Sequence, residues 1–338
     1  VSLPTAPENV ILTYALGGGG KSTLIAKALK YLWQKFGIKG RVVNADGGGT
    51  QKALTPLIDK GICDIWHIDQ WAEQSIFSTM DLATKGWWPS DPSTPNSPLE
   101  PPVVEWKECI FCQGESGAKG LTMVPACMTC GKPFPVGTLL KVRRSATPKF
   151  EGIGFLAFEG LTAFGDLLMR RLKKADPTGG NTILDGDFRI SSSGQAHYGI
   201  AQSYLAQYVA NSKTLPVKMV MWTALENRGD DEGKPLFGPK GPGKALTTAC
   251  IPWFTDVLHL DVLAKRVGGA IQKDPNGLEI LERKLFLAPH FPPDMPQYKF
   301  AAKSSAPADG GMPLVIDASM ETYFVELEKA FKKAGELL

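Results

Sequence analysis

The sequence predicts an α/β protein with a mainly parallel sheet, and three observations carry that prediction. Apolar runs at Val10–Leu16, Arg41–Asp46, Ile153–Phe158 and Val217–Trp222 read as strands buried on both faces. Segments of helical periodicity separate several of them, which is the alternation of a parallel sheet. Two of the runs end on a carboxylate, Asp46 and Glu159, and ligands of such sheets bind at the carboxyl ends of the strands.

Val10–Leu16 leads directly into Gly17, Gly18, Gly19 and Gly20, and Lys21-Ser22-Thr23 then opens an amphipathic segment. Glycines let backbone N–H groups turn inward with no Cβ in the way, and the helix start adds its partial positive charge. Lys21 can reach β- and γ-phosphates, and the Ser22 hydroxyl can sit on Mg²⁺. The strict pattern has Gly where this chain has Ala15, a mild departure because the residues that follow make most of the phosphate contacts. ATP with Mg²⁺ is the expected ligand. Leu24, Ala28, Leu32 and Phe36 continue the helical spacing, and Gly37 is a plausible stop.

Arg41–Asp46 is followed by three glycines, Cys63–Ile68 reads as a third strand and Gln70–Lys85 as a helix. The pattern breaks at Trp87–Pro102, a proline-dense polar stretch expected as a linker. It resumes at Ile153–Phe158, with a helix over Leu161–Lys174 whose terminal cations suit its C-terminus. Asp176–Gly194 reads as a loop, Tyr198–Ala210 as a helix and Asn227–Lys244 as a glycine- and proline-rich loop. Val257–Leu263 and Leu278–Leu287 read as strands, and Glu321–Ala334 as a terminal helix.

Between the linker and the resumed pattern lies Cys109-x2-Cys112-x14-Cys127-x2-Cys130. Two such knuckles fit a tetrahedral Zn²⁺ site closed by four thiolates, a structural arrangement rather than a catalytic one. A site of that kind contributes roughly 10–16 kcal/mol of binding energy to folding a small module. Cys63 and Cys250 sit in apolar contexts and read as core. His67, His197, His259 and His290 show no ligand spacing and read as structural.

Hydrolysis of a nucleotide needs a carboxylate near Mg²⁺ and a group that orients the attacking water. Glu159 is expected on the metal side and Asp46 as the water-polarising base, with Asp185 and Asp187 as other acids for the first role. Thr223, after the strand Val217–Trp222, can sense a γ-phosphate through its hydroxyl, and Glu226 follows it.

At 338 residues the chain can hold one large domain with an insertion. Hydrophobic content of 43% and charged content of 21% are those of a globular protein, and a net charge of +3 is too small to imply a polyanion partner by itself. Nucleic acid must therefore be met by local clusters. Arg189 in one loop, and Arg228, Lys234, Lys240 and Lys244 in the other, are the expected DNA contacts. No apolar run reaches the length of a membrane span, the first residues carry no basic-then-apolar leader, and thiolate metal ligands favour a reducing compartment. The expected location is cytoplasmic.

ALGGGGKST, VNADGG, FLAFEGLTAFGDLL and VKMVMWTALE with its GPKGPGKAL loop together resemble RecA-type P-loop ATPases, with phage-encoded single-strand-annealing ATPases as the nearest group. The resemblance runs from about Val10 to Leu263 and excludes the linker and cysteine module. It implies a RecA-like core, ATP hydrolysis, single-stranded DNA as partner, a homo-oligomer, and a host cytoplasm if phage-encoded. It maps the catalytic carboxylate to Asp46, the Walker B acid to Glu159 in place of the usual Asp, and the γ-phosphate sensor to Thr223, where RecA has Gln. It also implies that Lys299 and Lys303 act in trans on a neighbour's nucleotide.

The loop also looks like that of partitioning and MinD-type ATPases, whose signature lysine is replaced here by Leu16; a nucleotide-gated switch is the second expectation. A zinc-ribbon adaptor with a vestigial P-loop is the third. The expected division is residues 1–88 and 146–288 for the ATPase core, 89–104 for the linker, 105–145 for the zinc ribbon, and 289–338 for a C-terminal extension.

Overall fold

Alternate residues of a strand point to opposite faces, so a strand that is apolar throughout must be covered on both sides. That requirement organises this chain. The computed structural model describes residues 9–46, 49–68, 75–94, 97–100, 103–108, 115–117, 141–146, 152–175, 182–185, 188–191, 194–231, 234–291, 299–306 and 311–336.

The first half alternates as β1 (Asn9–Ala15), α1 (Lys21–Phe36), β2 (Lys39–Asn44), α2 (Gly49–Ile58), β3 (Cys63–His67) and α3 (Ile76–Thr84). Short antiparallel pieces follow: β4 (Trp88–Pro89) with β5 (Leu99–Glu100), and a three-stranded sheet with β6 (Val103–Glu108) between β7 (Glu115–Gly117) and β8 (Lys141–Ala146). The alternation then resumes with β9 (Ile153–Glu159) and α4 (Leu161–Ala175). After the hairpin β10 (Thr182–Asp185) and β11 (Phe188–Ser191) come α5 (Gly194–Ser212), β12 (Met219–Asp231), β13 (Lys234–Pro239) and α6 (Leu246–Ala249). The chain continues through β14 (Asp256–Ala264), β15 (Arg266–Val267), β16 (Ala270–Ile271), β17 (Leu281–Phe286), β18 (Val315–Asp317) and α7 (Met320–Glu336).

Among the described residues, nine strands form one sheet in the order β18-β17-β14-β1-β12-β9-β2-β3, with β13 added on β12. The six from β14 to β3 are parallel, and β17 and β18 join antiparallel. The expected α/β class with a mainly parallel sheet is therefore what forms. On one face Leu12, Tyr14, Phe158 and Trp222 pack with Phe77 of α3, Phe164 of α4 and Leu205 of α5. On the other, Ile11, Ala157 and Met221 pack with Leu24 of α1, Leu54 of α2 and Tyr323 of α7. Phe158 and Trp222, register partners on β9 and β12, stack at 4.3 Å between ring centroids. Truncating either to alanine removes about 3–5 kcal/mol.

Several expected boundaries move. Helix α1 stops where expected: Gly37 takes a φ of 68° and its N–H bonds back to the carbonyls of Leu32 and Trp33. Helix α2 was not expected, since it follows a glycine run and contains Pro56. The strand expected to end at Trp222 runs on to Asp231. Beyond Leu225, the last partner of β1, it pairs with β13 from Glu226–Pro239 to Asp231–Lys234. Much of the segment expected as a loop over Asn227–Lys244 is thus a β-hairpin, and the loop expected over Asp176–Gly194 contains the hairpin β10–β11.

Candidate functional site

Strand β1 delivers the chain to the carboxyl edge of the sheet at Ala15, which is fully buried. The glycine loop turns there, with Gly19 N–H donating to Leu16 O at 3.0 Å. Gly20, the residue before α1, has a φ of 102°, which a side chain rarely allows, and it offers the helix no side-chain cap. The first amides of α1 are therefore left for an anion.

Lys21 is buried at the head of α1. Burial lowers its pKa, and the carboxylates of Asp46, Glu159 and Glu226 pull it back up. The three acids and the one lysine meet at one edge, although they come from four elements or element ends.

Glu159 closes β9 and is 1% exposed. The Ser22 hydroxyl donates to its Oε1 at 2.5 Å, across 137 positions of sequence. Burial raises the Glu159 pKa, and the hydroxyls of Ser22 and Thr50 oppose that rise. Its Oε2 is buried with no hydrogen-bond partner among the described residues. A buried acceptor left in this way costs about 1–3 kcal/mol, and more when charged, so the position suits a cation or a cation-bound water. Mg²⁺ uses one or two carboxylates and takes its remaining ligands from phosphates and water. Ser22 and Glu159 fit that demand. Among the described residues no cluster of three His, Cys, Asp or Glu is set to hold a metal unaided.

Asp46 is half-buried just beyond β2. Its N–H donates to Asn44 Oδ1 at 2.9 Å, and Asn44 Nδ2 lies 3.0 Å from His67 Nδ1. Asn44 is the register partner of both Glu159 and His67, and Ala45 N–H donates to Glu159 O at 3.0 Å. The carboxyl ends of β2, β3 and β9 are thereby locked together. Gly160, with φ of 105°, closes the arrangement, since a Cβ there would stand 3.3 Å from the Asp46 Cβ.

Thr223 is fully buried on β12, in register with Thr13 and Glu159. Its Oγ1 accepts the Gly160 N–H at 3.0 Å. That oxygen is thus engaged in holding the turn behind Glu159. Glu226, on the same strand, has a fully buried side chain. His259 Nε2 lies 2.9 Å from its Oε2, Arg228 pairs with its Oε1, and His259 Nδ1 lies 3.1 Å from His290 Nε2. Burial pushes the Glu226 pKa up, but the bonds to His259 and Arg228 outweigh it and leave the carboxyl below its ordinary value. Burial and the neighbouring His259 lower His290 to about 4.

Of the expected DNA contacts, Lys240 and Lys244 are exposed. Arg228 is committed to Glu226 and lies over the Phe300 ring at 5.7 Å. Arg189 and Lys234 fall on β11 and β13, but their side chains lie outside the described residues. Cys109, Cys112, Cys127 and Cys130 also lie outside the described residues. Lys303 is bound through its backbone to Val257 in both directions.

Sequence reasoning missed Thr50, the Asn44–His67 pair, the Glu226–His259–His290 chain, and Arg283, whose Nε donates to Gly19 O at 3.2 Å. Polar residues at strand ends were the available signal for the Asn44–His67 pair, whereas Thr50 lies in the unexpected helix α2. Arg283 had none. A cavity of about 530 Å³ lined by Tyr31, Phe36, Lys218 and Phe324 opens at the other end of β1, beside Asn9, away from the glycine loop.

No protein-family model matches the chain, and no curated protein matches it. Among solved structures it is similar to a KaiC-like protein of the hyperthermophilic archaeon Pyrococcus horikoshii, at 9% identity and a TM-score of 0.35, covering 82% of this chain and 77% of that one. It is also similar to the flagellar accessory protein FlaH of Methanocaldococcus jannaschii, at 8% identity and a TM-score of 0.36, covering 83% and 78%.

Proposed function

We propose that this chain binds MgATP and hydrolyses it, as a RecA-like P-loop ATPase that acts on DNA. The observation that carries the reading is the 2.5 Å bond between Ser22 and Glu159. It joins the glycine loop to the acid of another strand, as a phosphate-bound metal requires. Mg²⁺, held by Ser22 and Glu159, would supply charge neutralisation to the phosphates. The free backbone amides of the glycine loop and of the start of α1, with the Lys21 amine, hold the phosphates. Ser22 and Glu159 supply the protein's oxygens to the metal side. Asp46, fixed by Asn44, polarises the attacking water, and Thr223 acts at the γ-phosphate side by fixing Gly160.

The DNA reading is supported by the hairpin β12–β13, which springs from the strand beside the loop. Lys240 and Lys244, exposed just past that hairpin, supply cations for backbone phosphates. The zinc-ribbon reading is supported by strand placement. Cys109 and Cys112 fall in sequence between β6 and β7, which pair from Glu108–Glu115. Turnover of MgATP measured with and without single-stranded DNA tests the reading: stimulation is expected, and indifference to DNA removes the DNA role.

A further inference from the structure

Strand β17 enters the sheet antiparallel to β14, with Arg283 opposite Val262. It stands two places from β1, on the side away from β12 and β9. From there Arg283 reaches back to the glycine loop. Besides the bond from its Nε to Gly19 O, its side chain lies against Gly20, where a Cβ would stand 2.9 Å from Nε and 3.2 Å from Cδ. Guanidinium carries five donors in a planar fork, and among the described residues this one makes a single hydrogen bond. No carboxylate pairs with it among those residues, whereas the adjacent Lys284 is paired with both Glu282 and Asp317. A guanidinium with donors to spare, set against a glycine loop that opens an uncapped helix start, is placed to take an anion.

We propose that Arg283 is a further nucleotide-binding residue that contacts the α/β-phosphate end of the bound nucleotide; this rests on the ATP reading above. The loop amides cradle the α- and β-phosphates, and lysine reaches the β- and γ-phosphates. Glu159, on β9 beyond β12, marks the metal and γ-phosphate side. Arg283 stands at the opposite end, where no bond breaks. An interaction made equally in ground and transition states lowers KM and leaves kcat alone. Arg283 therefore holds ADP as well as ATP and takes no part in water attack.

The test is calorimetric titration of MgADP and MgATP into wild type, Arg283→Gln and Arg283→Lys, with steady-state turnover beside it. Arg283→Gln should weaken both nucleotides together by about tenfold, in line with a partly exposed charge-assisted bond. KM should rise equally, kcat should stay within about twofold, and Arg283→Lys should fall between. Raising salt from about 0.05 to about 0.3 M should narrow the gap between wild type and Arg283→Gln, because a charge contact is screened. A mere prop for the loop would lose affinity with no salt dependence. Unchanged affinity in Arg283→Gln, a salt-independent loss, or a fall in kcat alone overturns the proposal while leaving the ATP reading intact. Failure of wild type to bind either nucleotide overturns both.

Discussion

The Ser22 hydroxyl donates to Glu159 Oε1 at 2.5 Å and leaves the second carboxylate oxygen of Glu159 buried without a protein partner among the described residues. One bond thus ties the start of α1 to the end of β9, although β12 lies between β9 and β1 in the sheet. It also explains why an acid survives at 1% exposure. A buried carboxylate is stable only if its charge is matched, and in the proposed reading Lys21 with a metal supplies the match.

Glu159→Gln should retain nucleotide binding and lower turnover by about a hundredfold or more, as loss of a metal-side charge does. The sign of its stability effect follows from the raised pKa of Glu159. A carboxyl whose folded pKa lies above its unfolded value weakens the fold increasingly as pH rises through that range. The nucleotide-free Gln variant should therefore melt at or above the wild-type temperature at pH 7. A lower melting temperature would mean that Glu159 is a structural ion-pair partner.

Thr223→Val removes the acceptor of the Gly160 N–H. An unsatisfied buried amide costs about 1–3 kcal/mol, so thermal unfolding should shift down by several degrees, while Thr223→Ser should stay near wild type. Equal melting of Val and Ser variants would show that the bond contributes nothing.

His290 provides a pH test. Its folded pKa of about 4 lies below the ordinary 6.5, so protonation favours the unfolded chain. Its contribution is complete above pH 6.5 and is lost as pH falls towards 4. Glu226 acts in the same sense but only below its ordinary 4.5. Between pH 7 and 5, wild type should lose melting temperature more steeply than His290→Gln. Parallel curves would place the titration elsewhere.

Elemental analysis should find about one zinc per chain, and replacing Cys127 and Cys130 by Ser should abolish it. A chain purified without chelator that holds no zinc would end the ribbon proposal. Zinc that survives the double substitution would move the ligands elsewhere.

Much of the core could be read from the sequence because β1, β9 and the first half of β12 are covered on both faces and so are mostly apolar, with Thr13, Thr223 and Glu159 as their buried polar residues. The glycine loop, Asp46 and Glu159 were legible because strand ends carry the ligands of parallel sheets. The second half of β12 was not, because its pairing with β13 lies outside the core, among glycines and prolines that read as loop. Gly186-Asp187 between apolar residues is a dipeptide of the kind that joins hairpin strands. Arg283 was invisible for a different reason. Its partner Gly19 lies 264 residues away, and only the antiparallel entry of β17 brings them together.

The most direct test of the central claim is phosphate release from MgATP by wild type and Lys21→Ala, each confirmed folded by its far-UV circular dichroism and melting curve. Wild type should turn over, and Lys21→Ala should fall to background with its fold intact. Wild-type rates in the Lys21→Ala variant, or no turnover by wild type in the presence of Mg²⁺ and single-stranded DNA, would contradict the hydrolase site.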